Sequence, residues 1–134
     1  TGGCVVVIGK AGRNFGAGMS GGIAYVLDEA GDFREHCNLD MVDVEPLSNP
    51  DDIAEVEQLV ERHHELTDSA VAGRLLKDWA GTVAKFVRVI PQDYKRMLEI
   101  FAEVEHFNSV AAMGYSDVDQ TSMCCHWRPR HILN

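Results

Sequence analysis

Two segments in the glycine-rich first quarter of the chain repeat each other at a fixed spacing of 19 residues. TGGCVVVIGKAG at 1–12 overlays SGGIAYVLDEAG at 20–31, so that each copy has a hydroxyl residue, Gly-Gly, five mostly apolar residues and a closing Ala-Gly. A repeat of this length is typical of solenoids, in which each coil supplies short strands that stack on the neighbouring coil. The repeat therefore constrains this segment to a parallel β-coil.

The same spacing extends to a third, divergent copy. Ile23 and Tyr25 map onto Val42 and Val44 in NLDMVDVEPL, where apolar and acidic residues alternate as in a strand with one solvated face. We therefore predict that residues 1–48 are the last coils of a mainly β domain. Because only two clear coils and one divergent coil are present and the first residue is Thr, we expect that the chain has been cut from a longer protein whose upstream coils are missing.

The hydrophobic period changes from 2 to 3.6 after Pro46. Asn49, Pro50 and two acids resemble a helix start, and a helix is predicted from there to about Leu66. A second amphipathic helix is predicted around Leu75, and KFVRVI at 85–90 reads as a short strand or extended segment. A third helix is expected to point a set of apolar residues inward: Tyr94, Met97, Leu98, Phe101 and Val104. Residues 49–106 form a helical extension in this prediction, and residues 107–134 are an unassigned tail.

The run NFGAGMSGG at 14–22 satisfies two catalytic spacings. Gly16, Gly18 and Gly21 fit a dinucleotide-binding loop, whereas Gly18, Ser20 and Gly22 fit the elbow of a serine acyl hydrolase. Both motifs must open a helix, but IAYVL follows with β-branched and aromatic residues. Structural glycines at the corners of a β-coil are the preferred interpretation. A hydrolase that uses Ser20 stays an alternative, with a base from one of six histidines: 36, 63, 64, 106, 126 and 131.

No metal or catalytic residue is predicted. His63 and His64 point about 100° apart on a helix, lack HExxH spacing and are expected at the surface. Cys124, Cys125, His126 and His131 do not have a recognised ligand spacing. The remaining candidates are assigned ordinary structural roles, with Cys4 packing among strand residues and with Lys95 and Arg96 on a solvated helix face.

Composition limits the partners and the compartment. The net charge of −9 disfavours nucleic acids and acidic membranes, and the sequence has neither a long apolar run nor a signal peptide. Residues 28–68 contain fourteen acids and two basic residues, a pattern expected for a solvated face, with a docking surface for a basic partner as the alternative. Four cysteines without C-x-x-C spacing indicate reduced thiols and a cytoplasmic location.

Several blocks in order resemble the C-terminal domain of the large (alpha) subunit of glutamate synthase. They are GGCVVVIGKAGRNFGAGMSGGIAYVLDEAGDF, CNLDMVDVEPL, LLKDW and FVRVIPQDYKRML, which together cover residues 1 to about 99. Gly9, Gly12 and Gly16 match the G-x-x-G-x-x-x-G repeat unit of that domain. The resemblance implies a right-handed parallel β-helix, followed here by the α-helical C-terminal extension.

The resemblance also implies the function. The parent enzyme converts glutamine, 2-oxoglutarate and reducing equivalents into two molecules of glutamate, and FMN, an iron-sulfur cluster and the amidotransferase cysteine belong to other domains. This segment is then a non-catalytic spacer that binds no cofactor and packs against other domains of the same large subunit, with the small subunit as a further candidate partner. The alternative within the same fold is a stand-alone β-helix subunit of a multi-chain oxidoreductase, because the fold also resembles subunits of formylmethanofuran dehydrogenase.

Overall fold

Four strands and five helices form the part of the chain that the structure, a computed structural model, describes: the backbone of residues 2–112 and the side chains of residues 2–106. More of these residues lie in helices than in strands. The elements in chain order are β1 Cys4–Val7, β2 Ile23–Leu27, α1 Phe33–His36, β3 Val42–Pro46, α2 Pro50–Thr67, α3 Ala70–Lys77, α4 Trp79–Val83, β4 Phe86–Pro91 and α5 Gln92–Ala112.

The strands form one mixed sheet in the order β1-β2-β4-β3. The β1 and β2 strands pair in parallel with Cys4 opposite Ile23 and Val6 opposite Tyr25, which is the 19-residue spacing of the sequence repeat. The connection between them contains no helix, and its Phe15 forms an isolated parallel bridge with Cys37. The first repeat thus corresponds to one parallel strand pair.

The prediction of a mainly β, right-handed β-helix is wrong, and the domain is a small α/β fold. The third coil was expected to place Val42 and Val44 beside β2, but β4 lies between the two strands and pairs antiparallel with both. Alternation in NLDMVDVEPL identified a strand correctly, since β3 covers Val42–Pro46. Alternation does not identify the partner strand, because every half-buried strand has the same period.

Apolar side chains cover both faces of the sheet, which explains why helices are needed as a second layer. One face, with Val6, Tyr25 and Phe86, packs against α2 and α3. The opposite face, with Val26, Val42 and Val89, packs against α1 and the connection between β1 and β2, where the rings of Phe15 and Phe33 meet edge to face with centroids 5.2 Å apart. Strand β4 lies within residues 49–106, which were predicted to be a helical extension, and its side chains contribute to the core on both faces of the sheet.

The predicted start of α2 is confirmed. The Asn49 side chain accepts a hydrogen bond from the Asp51 backbone N–H at 2.9 Å, and Pro50 occupies the first helical turn. Ser69 caps α3 through the backbone N–H of Ala72. The predicted strand KFVRVI at 85–90 overlaps β4, which begins at Phe86 and extends to Pro91. Among the described helices, none is both long and apolar enough to cross a membrane.

The predicted inward face of α5 is wrong for three of its five residues, whereas Tyr94 and Leu98 are half-buried. Met97, Phe101 and Val104 expose 42%, 58% and 49% of their surfaces. The helix contacts the sheet near its start, where the Gln92 backbone N–H donates to the Met41 carbonyl at 3.0 Å, and then leaves the body of the domain. The period of 3.6 identified an apolar stripe, but periodicity does not show whether a partner covers it. Residues 113–134 lie outside the described part of the chain.

Candidate functional site

A groove of about 400 Å³ opens where β1 and β2 begin. Because the two strands are parallel, their N-terminal ends lie side by side at one end of the sheet. The loop before β2 folds over them. The backbone N–H of Ile23 donates to the Gly3 carbonyl at 3.0 Å and holds the two ends together. The groove is lined by Gly2, Gly3, Cys4, Val5, Phe15, Gly16, Ala17, Gly18, Met19, Gly21, Gly22, Ile23 and Ala24.

Two glycines make this groove possible. Gly22 has a φ of +79°, and a Cβ atom there would lie 2.7 Å from the Gly3 carbonyl oxygen. Gly16 also has a φ of +79°, and its Cβ would lie 3.2 Å from a methyl group of Val42. Left-handed backbone conformations and such close contacts favour residues without a side chain. The structural interpretation is therefore correct for these two residues, whereas Gly9 and Gly12 have open space around them and no positive φ.

The lining of the groove limits its chemistry. Cys4 is the one lining residue with an ionisable side chain, and the others are glycine, alanine, aliphatic, aromatic or thioether residues. The lining offers no carboxylate, imidazole or ammonium group for acid-base catalysis or for binding a charged substrate. The groove instead presents backbone groups and small apolar side chains, which suits contact with another stretch of polypeptide.

Ser20 lies at the surface, just before β2. The cleft around it contains Asp40 and Asp93 but no histidine. A nucleophile elbow requires a strand before the serine and a helix after it, whereas Ser20 follows a turn and precedes a strand. A dinucleotide-binding loop needs a helix after Gly16, Gly18 and Gly21, whereas here strand β2 follows them.

The two histidines of α2 are structural, and the expectation that both lie at the surface is wrong for His63. His63 is only 8% exposed, and its Nε2 lies 3.5 Å from the Thr67 hydroxyl oxygen. The His64 ring lies against Gly73, where a Cβ would come within 2.9 Å of Cε1, and its Nδ1 is 3.1 Å from the Ser69 carbonyl oxygen. The His64 ring therefore helps to dock α3 onto the end of α2, whereas His63 contacts Thr67 within α2 itself.

The cysteines that the structure describes pack as expected for structural residues. Cys4 packs against the core under α2, and Cys37 lies on the opposite face of the sheet near Val42, so the two form no disulfide. Burial raises the pKa of the Cys37 thiol above its ordinary value, and the nearby Arg34 partly opposes that increase. A raised pKa leaves little thiolate at neutral pH. Cys124, Cys125, His126 and His131 lie outside the described residues.

A cluster of charged side chains, here termed the β3–β4 charge cluster, joins the outer edge of the sheet to α2 and α5. Lys95 on α5 forms ion pairs with Glu45 and Asp43 on β3, the latter at 3.5 Å. Arg88 on β4 pairs with Glu45 and with Asp52 on α2, each at 3.5 Å. Gln92 donates a hydrogen bond to Asp43 at 3.2 Å and completes the cluster.

Charge and burial in this cluster shift two pKa values. The hydrogen bond and charge of Glu45 raise the pKa of Lys95 above its ordinary value, with a smaller contribution from Asp43. Burial raises the pKa of the fully buried Tyr25, and the neighbouring Asp52 carboxylate raises it further. Lys95 is thus held as a cation and Tyr25 as a neutral phenol. Neither state provides a base at neutral pH.

Sequence reasoning missed this cluster and assigned Lys95 to a solvated helix face. That assignment is wrong for Lys95, whereas Arg96 is indeed exposed, with 73% of its side chain accessible. A usable signal was present, because Asp43 and Glu45 alternate with apolar residues in one strand and Arg88 alternates with them in another. Opposite charges at matching strand positions indicate a cross-strand pair once the pairing of β3 with β4 is known.

The glycine-lined groove does not fit the FMN phosphate, and the two described cysteines do not fit an iron-sulfur cluster. An iron-sulfur cluster needs several cysteine thiolates around one centre, but Cys4 and Cys37 occupy opposite faces of the sheet. Within residues 2–112, no three His, Cys, Asp or Glu side chains are grouped to hold a metal ion. The glycine-lined groove lacks both a cationic side chain and a helix N-terminus for the FMN phosphate.

These features define a small mixed α/β domain in which a glycine-rich loop connects two parallel strands. The family model described as the GXGXG motif matches residues 1–92. The chain belongs to the GXGXG motif family. The match covers every described element except α5, together with the first residue of that helix.

Curated relatives confirm the resemblance to the glutamate synthase domain. The chain is 49% identical over 118 residues to the glutamate synthase [NADPH] large chain of Bacillus subtilis (strain 168), covering 87% of this chain. It is 46% identical over 99 residues, or 74% of this chain, to the glutamate synthase [NADH] of Schizosaccharomyces pombe (strain 972 / ATCC 24843). It is 37% identical over 112 residues, or 84% of this chain, to the chloroplastic ferredoxin-dependent glutamate synthase of Spinacia oleracea.

The chain spans a small part of each of these relatives. The aligned regions are 7%, 5% and 7% of the Bacillus, Schizosaccharomyces and Spinacia proteins, respectively. The similarity is therefore to one segment of long polypeptides.

Proposed function

We propose that this chain is a non-catalytic module of a glutamate synthase large chain, and that its role is to contact other domains of that chain. The observation that carries the proposal is the composition of the groove, which has no charged side chain among its lining residues. A groove of backbone and small apolar groups favours packing of polypeptide over turnover of a charged amino acid or keto acid.

The edge of the sheet supports the same role. Strand β1 is an edge strand, so the backbone groups on one of its sides have no partner strand among the described residues. Exposed edges invite pairing with another strand, and proteins normally cover or block them. Because the groove and the edge are adjacent, a single contacting domain can cover both. The partner in this proposal is another domain of the same large chain, with the small subunit as a second candidate.

The relatives support a role that does not depend on the electron donor. Proteins named for NADPH, for NADH and for ferredoxin all align with this segment. A segment that bound the donor would have to differ among these proteins in the residues that recognise it. We therefore propose that donor binding lies in other domains of the parent chain. We propose the same for FMN, the iron-sulfur cluster and glutamine hydrolysis, and a cytoplasmic location for the whole protein.

Two measurements test the proposal. The 134-residue chain, assayed beside a Ser20→Ala variant, should release no more ammonia from glutamine than that variant does. Ammonia release that depends on Ser20 would establish the hydrolase alternative instead. The stand-alone β-helix alternative is not retained, because the domain is not a β-helix.

Hydrogen exchange measures the contact directly. Peptides that cover residues 2–24 should exchange more slowly in the intact large chain than in the 134-residue chain, since a covering domain protects the edge and the groove. Peptides from the buried strand β4 provide the internal control and should exchange slowly in both. Equal exchange of residues 2–24 in the two forms would rule out the contact role.

A further inference from the structure

An apolar stripe runs along the exposed side of α5. Met97, Ile100, Phe101 and Val104 recur at helical spacing and expose 42%, 61%, 58% and 49% of their surfaces. All residues from Glu99 to His106 are exposed, so this part of α5 has no covering layer among the described residues. Single exposed apolar residues are ordinary, but a continuous helical stripe of four indicates an interaction surface.

Charged residues beside the stripe indicate what covers it. Arg96 and Glu103 are seven residues apart and therefore lie on the same flank of the helix, two turns from each other. Arg96 is 73% exposed, and its one ion pair among the described residues is with the exposed Asp93 at 3.5 Å, an arrangement that contributes little to stability. One flank of the stripe thus carries a positive charge at its start and a negative charge at its end.

We propose that the α5 stripe binds the same stripe of a second copy of this chain in an antiparallel helix pair. In an antiparallel pair related by a twofold axis, the same flank of each helix faces the other, and positions equally distant from the axis meet. An axis beside Ile100 places Arg96 of each copy opposite Glu103 of the other. Two ion pairs form at once, and the apolar stripes face each other.

The charge pattern disfavours the parallel arrangement. In a parallel pair related by a twofold axis, opposite flanks of the two helices meet, so Arg96 of one copy would not lie opposite Glu103 of the other and neither ion pair would form. Antiparallel packing also brings opposite ends of the two helix dipoles together. The proposal goes beyond the contact role of the N-terminal groove and uses a different face of the domain.

Charge reversal provides the test. Sedimentation equilibrium of the 134-residue chain, under reducing conditions and from micromolar to millimolar concentration, should show a reversible monomer–dimer equilibrium. Ile100→Glu should remove the dimer, because it places a carboxylate from each copy next to the twofold axis, within the apolar contact. Arg96→Glu and Glu103→Arg should each weaken association about tenfold, since each turns two attractive pairs into repulsive ones.

A mixture of the two weakened variants decides the geometry. An Arg96→Glu chain and a Glu103→Arg chain restore two opposite-charge pairs in an antiparallel heterodimer, so their mixture should associate about as tightly as the unmodified chain. Glu105→Arg is the matched control, because residue 105 lies about 200° around the helix from residue 103 and changes charge on the other flank. Circular dichroism should show that every variant retains its helix content.

Two results would overturn the proposal. If the chain is monomeric throughout this concentration range, another part of the polypeptide covers the stripe or nothing covers it. If the dimer persists in Ile100→Glu, the two copies associate through a different surface. If the mixture of Arg96→Glu and Glu103→Arg chains does not restore association, the two helices pair in a different orientation.

Discussion

The carbonyl oxygen of Gly3 occupies the space in which a side chain at residue 22 would lie. A Cβ built at Gly22 comes within 2.7 Å of that oxygen, and the φ of +79° is itself unfavourable for any residue with a side chain. The contact holds the first turn of the parallel strand pair closed, because Gly3 also accepts the hydrogen bond from Ile23.

Gly22→Ala should therefore lower the free energy of unfolding by about 3 kcal/mol, from the combined cost of the left-handed backbone and the backbone collision. The melting temperature of a domain of this size should fall by roughly 10 °C. Gly31→Ala is the matched control, since Gly31 has a similar φ of +76° but open space around it, and should cost about 1 kcal/mol. Equal losses in the two variants would show that the Gly3 contact is unimportant.

The cap at the start of α2 gives a second prediction. Asn49 accepts the backbone N–H of Asp51 through its side-chain oxygen, so Asn49→Ala should lower the free energy of unfolding by about 1 kcal/mol. Asn49→Asp retains an acceptor at the same place and should stay near the unmodified chain in urea unfolding. The neighbouring exposed Ser48→Ala serves as control. A loss in Asn49→Asp as large as that in Asn49→Ala would mean that the hydrogen bond is not the cause.

Short-range sequence patterns predicted this cap and the strand that begins at Phe86, and the repeat predicted the parallel pairing of 4–7 with 23–27. Each depends on residues close together or on an evident repeat. The insertion of β4 between β2 and β3 was not predictable in this way, because it joins segments about 40 to 65 residues apart that look alike in their alternation. The β3–β4 charge cluster depends on that strand pairing, so it could not be predicted from the sequence either.

Arg88 links three elements through its two ion pairs, and its loss removes the ion-pair partner of Asp52, the carboxylate beside the buried Tyr25. Side chains of Arg88 and Asp52 are only 23% and 18% exposed, so neither charge is well solvated. Arg88→Met should lower the free energy of unfolding by about 2 kcal/mol. Adding Asp52→Asn should recover part of that loss, because the unpaired charge next to Tyr25 is then removed.

An exposed ion pair is the matched control for Arg88. Arg74 and Glu29 lie 3.1 Å apart, yet their side chains are 64% and 51% exposed. Arg74→Met should change the free energy of unfolding by about 0.5 kcal/mol or less. If Arg88→Met were as mild, or if the two cluster substitutions were simply additive, the cluster would not be a cooperative support for the sheet edge.

Lys95 gives the pH dependence of the same cluster. Glu45 and Asp43 raise its pKa in the folded state above the ordinary value of 10.5. Folding therefore favours the protonated amine, so the stabilisation is fully present below the unfolded pKa and disappears as pH rises through the higher folded pKa. Unfolding curves of the unmodified chain and of Lys95→Met, collected from neutral pH to above 10.5, should differ at neutral pH and converge at the alkaline end. Lys85→Met, which removes a charge from an exposed position outside the cluster, controls for the change in net charge. A difference between the unmodified chain and Lys95→Met that stays constant across this range would show that the contacts of the Lys95 carbon chain, and not its charge, hold α5 against the sheet.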